Sequence, residues 1–402
     1  MLNVNLDDND NRIVRRDKNT EAFFELVKAG LFGHTDTTES TDMFSWDDVD
    51  WGEVYRLAEE QSVVGLVAAG IDTVNGSWLK VHGSPLVPQK WALQFIGQTL
   101  QIEQRNKVMN AFVAELIEKL RRDDIYAILV KGQGVAQCYD KPLWRSSGDV
   151  DLLLSDDNYR KAKEYLLPKA SFVEDEEVHK KHLAMTIGEW TVELHGSLRC
   201  GFSSKIDKEL NKIYNDAFYG GNVRSWLNGN VQVFLLGKEN DVLYVFAHFI
   251  NHFYKGGVGL RQICDWCRLL WTYKDSLNHG HLESWIRKAG LISEWKAFGA
   301  LAIDYLGFPK DSMPLLNDNA NANDNLNANL KRKADRIMDF ILKSGNMGHN
   351  RDSGFKENGS YLKRKVRSFG QRMGDLANHI MIFPIDTLRF FPSIVLNGIR
   401  QK

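Results

Sequence analysis

Apolar residues follow a helical spacing in the first part of the chain, a strand-like spacing in the middle, and a helical one again beyond residue 240. Residues 1–20 carry almost no apolar pattern and read as a polar tail, with a short helix expected before residue 40. Trp51 to Ala69 is rich in Trp, Leu and Ala, and a loop from Thr73 to Pro88 follows with Gly76, Gly83, Pro85 and Pro88. Ile102, Met109, Phe112, Val113, Leu116, Ile117 and Leu120 then recur at three- and four-residue steps. That spacing puts them on one face of a long helix. Residues 41–122 are thus predicted to form a helical N-terminal domain.

After Asp124 the pattern changes. Ile125 to Val130 is a short, unbroken apolar run that stops at Lys131-Gly132, as a buried strand does. Asp149 to Leu154 is a second strand candidate, and Ser155-Asp156-Asp157 supplies N-cap chemistry for a helix to about Leu167. Trp190 to His195 is a third strand, closed by Gly196. Strands alternating with helices over 123–237 indicate an α/β or α+β unit. From Asp241 a helical stripe returns in Val242, Val245, Phe246, Phe249, Ile250 and Phe253, and residues 238–316 are predicted as a second helical domain. Asn occupies every odd position from Asn317 to Asn329, a composition that buries no core. Residues 317–333 therefore read as a linker, and 334–402 as a helical, basic extension.

Composition narrows the class. Apolar residues make up 43% of 402, enough for a substantial core, and 51 basic against 52 acidic residues leave a net charge of −1. This balance excludes a chain whose main work is coating nucleic acid or an anionic membrane, while leaving room for a local basic pocket. The four cysteines do not make a disulfide scaffold, and Cys264 and Cys267 lack a second pair to complete a zinc site. No stretch approaches the length of a membrane span, and Met1 to Asp17 lacks a secretory apolar region. A reduced, cytoplasmic setting is the expectation.

The chemistry concentrates on two strands. Side chains two apart on a strand point the same way, so Asp149 and Asp151 share one face and Val150, Leu152 and Leu154 the other. Paired acids within an apolar strand need an offset to their repulsion, and a divalent cation is the commonest. Glu193 and His195 likewise share a face of their strand. If the strands are neighbours, Glu193 adds a third carboxylate to the cluster. Three carboxylates around two magnesium ions are the apparatus of phosphoryl or nucleotidyl transfer. Lys131-Gly132 and Arg145 with Ser147-Gly148 lie where a triphosphate could approach the backbone.

The run Leu129-Val-Lys-Gly-Gln-Gly-Val-Ala, followed by Tyr139, Pro142 and Arg145-Ser-Ser-Gly-Asp-Val-Asp-Leu-Leu-Leu, resembles the bacterial uncharacterised nucleotidyltransferases. That family sits in the superfamily with the DNA polymerase beta type of palm. Val192 to His195 is similar to its third-carboxylate strand, and Phe246 to Leu270, with His248, His252, Arg261 and Asp265, to its helical region. The resemblance implies an α+β fold, a small mixed-sheet palm flanked by helical domains. It implies Asp149, Asp151 and Glu193 as metal ligands and catalytic residues, with Mg²⁺ or Mn²⁺ as cofactor. Lys131, Gly132, Arg145, Ser147 and Gly148 would hold the nucleotide. Two departures stand out: Gly132-Gln133 where the superfamily has Gly-Ser, and Glu193 where Asp is usual.

The expected activity is transfer of a nucleoside monophosphate from an NTP to an unidentified acceptor, a small molecule, RNA or protein, with release of pyrophosphate. Two alternatives stay open: a degenerate palm that binds a nucleotide or partner without turnover, and a toxin-like enzyme that modifies RNA or protein. Several other signals have ordinary structural readings beside the functional ones. Arg145 could instead pair with Asp149 or Asp151. His248 and His252 could ligate a metal or simply pack. Arg261 and Asp265, four apart, fit an intrahelical ion pair worth about 0.3–0.5 kcal/mol. Cys264 and Cys267 suit helix packing, and Lys363, Arg364, Lys365, Arg367 and Arg372 a solvated basic face.

Overall fold

An apolar run with no polar side chain can satisfy both its faces only inside a sheet covered on both sides. Ala127–Val130 (β1) is such a strand, buried at every position, in the computed structural model, which describes residues 17–33, 44–75, 86–316, 324–346 and 374–391. The further strands are Asp149–Leu154 (β2), Phe172–Val173 (β3), His182–Ile187 (β4), Trp190–His195 (β5), Val223–Asn228 (β6) and Val231–Leu236 (β7). They form one seven-stranded mixed sheet in the order β3-β4-β5-β2-β1-β7-β6. β2 lies at its centre, and β1 beside it is an interior strand, antiparallel to β2 and parallel to β7. The basic cluster from Lys363 to Arg372 and the Asn-rich positions 317–323 lie outside the described residues.

The helices include Lys18–Phe32 (α1), Trp51–Glu60 (α2), Val64–Asn75 (α3), Gln89–Arg122 (α4), Gly132–Ala136 (α5), Asp156–Leu166 (α6) and Ser204–Phe218 (α7). Lys238–Lys255 (α8), Leu260–Tyr273 (α9), His279–Ala289 (α10), Ile292–Leu306 (α11) and Asp324–Ser344 (α12) follow. Helix α1 begins where the Asp17 carboxylate accepts the backbone N–H groups of Asn19 and Thr20, at 3.0 and 2.9 Å. It crosses α3 at close quarters. A Cβ on Gly30 would stand 2.2 Å from the Leu66 carbonyl oxygen, and one on Gly70 1.9 Å from that of Leu26.

Strand alternation sends apolar side chains into two cores. Ala127, Leu129, Val150, Leu152, Leu154, Val192 and Leu194 face the second half of α4, through Met109, Val113, Leu116, Ile117 and Leu120, together with α6. Ile128, Val130 and Leu153 face the other way, into the larger cluster. That cluster also takes in α1 to α3 and the stripe of α8, so the helices before and after the sheet share one core. Asp149 and Asp151 point to this second side, which α8 covers.

Helix α12 starts at Asp324, inside the stretch read as a linker, so residues 324–333 are helical. Ala334, Ile337, Met338 and Ile341 are buried on the larger core, and a helix anchored there extends backwards at little cost because the nucleus is already formed. Among the described residues no helix is long and apolar enough to cross a membrane. Cys264 and Cys267 are buried in α9, where burial raises both thiol pKa values.

Glu294, on α11, is fully buried. Its Oε1 accepts from the Tyr254 hydroxyl at 2.9 Å, and its Oε2 has no hydrogen-bond partner among the described residues. Burial, with Asp386 nearby, pushes its carboxyl from the ordinary 4.5 up to about 8. The folded state therefore binds a proton that the unfolded chain has released. The stability this contributes is complete below about pH 4.5 and is lost as the pH climbs to about 8. Thermal melts from pH 5 to 8 should show wild-type stability falling more steeply with pH than that of Glu294→Gln. Parallel curves would mean that Glu294 is ionised in its site.

Candidate active site

Strand β2 lies parallel to β5 with Asp149 beside Thr191, Asp151 beside Glu193 and Leu153 beside His195. Because side chains on matched positions of adjacent strands share a face, the three acids converge on one patch. One oxygen from each of Asp149, Asp151 and Glu193 lies within 4.8 Å of the others, a donor set that suits a divalent cation. Strand β4 brings His182 opposite His195. His182, Glu193 and His195 form a second group with the same closeness.

Lys131 ends β1 in the left-handed region (φ +57°), and Gly132 follows at φ +40°. This reversal turns the chain beneath β2, where a Cβ on Gly132 would meet only the Asp149 carbonyl oxygen at 3.6 Å. Glycine is needed there for its backbone angle rather than for space. The Lys131 ammonium lies 2.7 Å from Asp151 Oδ1. Gln133 is buried, with its amide donating to the Asp149 carbonyl oxygen at 3.3 Å and lying against Met109 Sδ. Gln133 thus supports the backbone of β2.

The patch opens into a pocket of about 250 Å³ between the sheet and α8. Lys131, Asp149, Glu193 and His195 line it from the sheet, and Tyr244, His248, Asn251 and His252 from α8. Asp151 sits below them, its side chain almost wholly buried and its Oδ1 2.8 Å from His195 Nε2. Burial, joined by the charges of Asp149 and Glu193, pushes the Asp151 carboxyl up to about 6 against the pull of Lys131 and His195. Burial works against Glu193 as well, yet hydrogen bonds with His182 and His195 and the Lys131 charge hold its carboxyl far below the usual range. Asp151 thus takes a proton before Glu193 does. Burial opposes the His195 cation, but Asp151 and Glu193 outweigh it and raise its pKa. Burial and Lys131 lower both helical histidines, His252 to about 4. They stay neutral, with their Nε2 atoms 3.1 Å apart.

Arg145, Ser147 and Gly148, also expected to hold the nucleotide, are not among the residues that line this pocket. Arg145 is buried and forks onto Asp265, Nε to Oδ1 at 2.9 Å and Nη2 to Oδ2 at 2.6 Å. Its pairing with Asp149 or Asp151 is not formed. Tyr139 donates to the same Asp265 Oδ1 at 2.8 Å, and Arg145 Nη1 donates to Ser147 Oγ at 3.0 Å. The Arg261–Asp265 ion pair is not formed either, because Arg145 occupies both carboxylate oxygens; Arg261 donates to the Ser146 carbonyl. Arg145, Ser146 and Arg261 line a second cavity of about 170 Å³ against α1 and α3. Gly148 is exposed with open space around it, at the lip where the chain enters β2.

Sequence spacing put His195 on the Glu193 face but gave no sign that His182 and α8 would join them. Only strand pairing and the packing of α8 over the sheet bring those residues in. His248 and His252 pack on one another, ring centroids 4.5 Å apart, and also stand in the pocket wall.

A family model described as "Uncharacterised nucleotidyltransferase" matches residues 47–303, a span that holds the whole sheet, the acid cluster and the Arg145–Asp265 pair. Neither a curated protein nor a solved structure matches the chain.

Removing one partner of a buried ion pair leaves the other charge uncompensated, at a cost of about 3–5 kcal/mol. Asp265→Asn should lower the unfolding free energy by that order in urea titration. A loss below about 1 kcal/mol would class the pair with exposed ones.

Proposed function

The chain belongs to the uncharacterised nucleotidyltransferase family, and on that premise we propose that it moves a nucleoside monophosphate from an NTP to an acceptor hydroxyl or phosphate, releasing pyrophosphate. The observation that carries this reading is the convergence of Asp149, Asp151 and Glu193 on one sheet face beneath a pocket. Placement in the superfamily with the polymerase-beta type of palm is part of the proposal. It is supported by the antiparallel β1–β2 pair, by the Lys131-Gly132 reversal beneath Asp149, and by a third acid on the next strand.

In this reading Asp149 and Asp151 hold Mg²⁺ or Mn²⁺ on the nucleotide side, and Glu193 completes the acceptor side. A bound divalent cation would neutralise phosphate charge and lower the acceptor's pKa. Lys131 holds Asp151 in place through its ammonium and offsets the negative charge of the cluster. The Gly132 backbone and the Ser147-Gly148 lip, of which Gly148 is exposed, offer donors with little steric bulk to an incoming triphosphate. Arg145 acts as a positioning residue, tying that lip to Asp265 on α9.

A rival reading, a palm that binds nucleotide without turnover, also has an observation behind it. The Lys131 ammonium already occupies an Asp151 oxygen that a metal ion would use.

Mg²⁺ with NTP should raise the melting temperature, and Asp149→Asn should abolish that rise; an equal rise in the variant would remove Asp149 from the site. Glu193 serves the acceptor side, so its loss should weaken the transition state more than the ground state. Glu193→Gln should bind Mg-NTP within a few-fold of wild type while turnover of labelled NTP falls by at least ~10²-fold. Normal turnover in the variant would make Glu193 a bystander. Stabilisation by NTP with no wild-type turnover of any NTP would favour the rival.

A further inference from the structure

His182 and His195 face one another across the antiparallel β4–β5 pair, their ring centroids 4.8 Å apart. Both aim Nε2 at a single atom, Glu193 Oε2, at 3.2 and 3.4 Å. The Glu193 contacts lie at the long end of hydrogen-bond range or just past it, and His195 Nε2 also stands 2.8 Å from Asp151 Oδ1, a contact that a metal bond at that nitrogen would replace. As edges of a coordination polyhedron they fit. Metal bonds of about 2.0–2.2 Å set neighbouring ligand atoms about 3.0–3.5 Å apart in octahedral or tetrahedral geometry. On its other side, His182 Nδ1 faces Glu177 Oε1 at 3.7 Å, beyond hydrogen-bond distance.

The donor types choose the ion. Two imidazole nitrogens and one carboxylate oxygen suit zinc, cobalt and their neighbours, whereas magnesium takes oxygen ligands and keeps its water.

We propose that His182, Glu193 and His195 bind a zinc-class divalent cation, separate from the ion assigned to Asp149 and Asp151, with its remaining coordination positions open to the 250 Å³ pocket. The inference rests on the proposed function only for what the ion is near; the donor set stands on the geometry. On that reading the acceptor-side cation is nitrogen-ligated, and the two halves of the pocket select different metals.

The test uses the full chain, tag-free and stripped by chelation. Titrated with Co²⁺ in excess Mg²⁺, it should take up one equivalent with ligand-field bands stronger than those of the aqueous ion. Zn²⁺ should displace the cobalt stoichiometrically, read by plasma mass spectrometry after gel filtration. His182→Ala and His182→Gln should each weaken cobalt binding by at least ~10-fold, the low end for loss of even an outer-shell partner. Their metal-free circular dichroism and melting temperature should match wild type, and a variant that fails this check is replaced by the other in the comparison. Asp149→Asn should keep the cobalt while losing the Mg-NTP stabilisation. No stoichiometric uptake, aqueous-type bands, or unchanged affinity in both His182 variants would overturn the site. So would loss of cobalt in His252→Ala with retention in His182→Ala, which would put the ion at the helical pair. Cobalt loss in Asp149→Asn would merge the two ions into one. If cobalt binds as expected but no NTP stabilises the protein, the proposed function falls and this site stands.

Discussion

Three carboxylates on adjacent strands repel one another, and much of the surrounding structure serves to offset that repulsion. Asp151 is buried beneath the other two and would be costly as a lone anion. Lys131 Nζ and His195 Nε2 both reach its Oδ1, at 2.7 and 2.8 Å. Lys131 is held there by a left-handed backbone angle, unfavourable for a side-chain-bearing residue, and Gly132 allows the chain to continue from it. Strain in the backbone and electrostatic gain at the side chain are thus two halves of one device.

A second polar network lies a short way up the chain from the first. Arg145, Tyr139 and Asp265 are mutually bonded and buried, and they join the segment leading into β2 to helix α9. Asn106 on α4 donates to the Leu143 and Arg145 carbonyls, at 2.8 and 2.7 Å, and fixes the same segment from the opposite side. The Ser147-Gly148 lip therefore starts from a constrained segment. Such support narrows the positions Asp149 can take relative to Glu193.

The cover over the acids is a helix with a divided surface. Helix α8 buries Val242, Val245, Phe246, Phe249 and Phe253 in the larger core and presents Tyr244, His248, Asn251 and His252 to the pocket. Residues that spacing alone marks as flanking an apolar stripe become the roof of the site. Their neutrality follows from where they sit: burial and the nearby Lys131 charge both disfavour protonation. The pocket thus combines an anionic floor with a neutral, nitrogen-rich roof.

The sequence by itself determined the local parts of this protein. The apolar run at Ile125–Val130, the alternation that sets Asp149 and Asp151 on one face, and the pairing of Glu193 with His195 are all short-range. They follow from strand geometry, in which every second side chain shares a face. The stripe of α8 follows in the same way from a period of 3.6 residues. Tertiary structure decided which of these parts meet. The parallel register of β2 and β5 sets Glu193 beside Asp151 across 42 residues of chain, and β4 adds His182 through an antiparallel turn with no distinctive spacing. Arg145 shows the limit most clearly. Its sequence neighbours are the acids of β2, but its bidentate partner, Asp265, lies 120 residues away. Periodicity is a property of one element, whereas the choice of an ion partner depends on which charges are brought together as water is excluded, and that is settled only when elements pack.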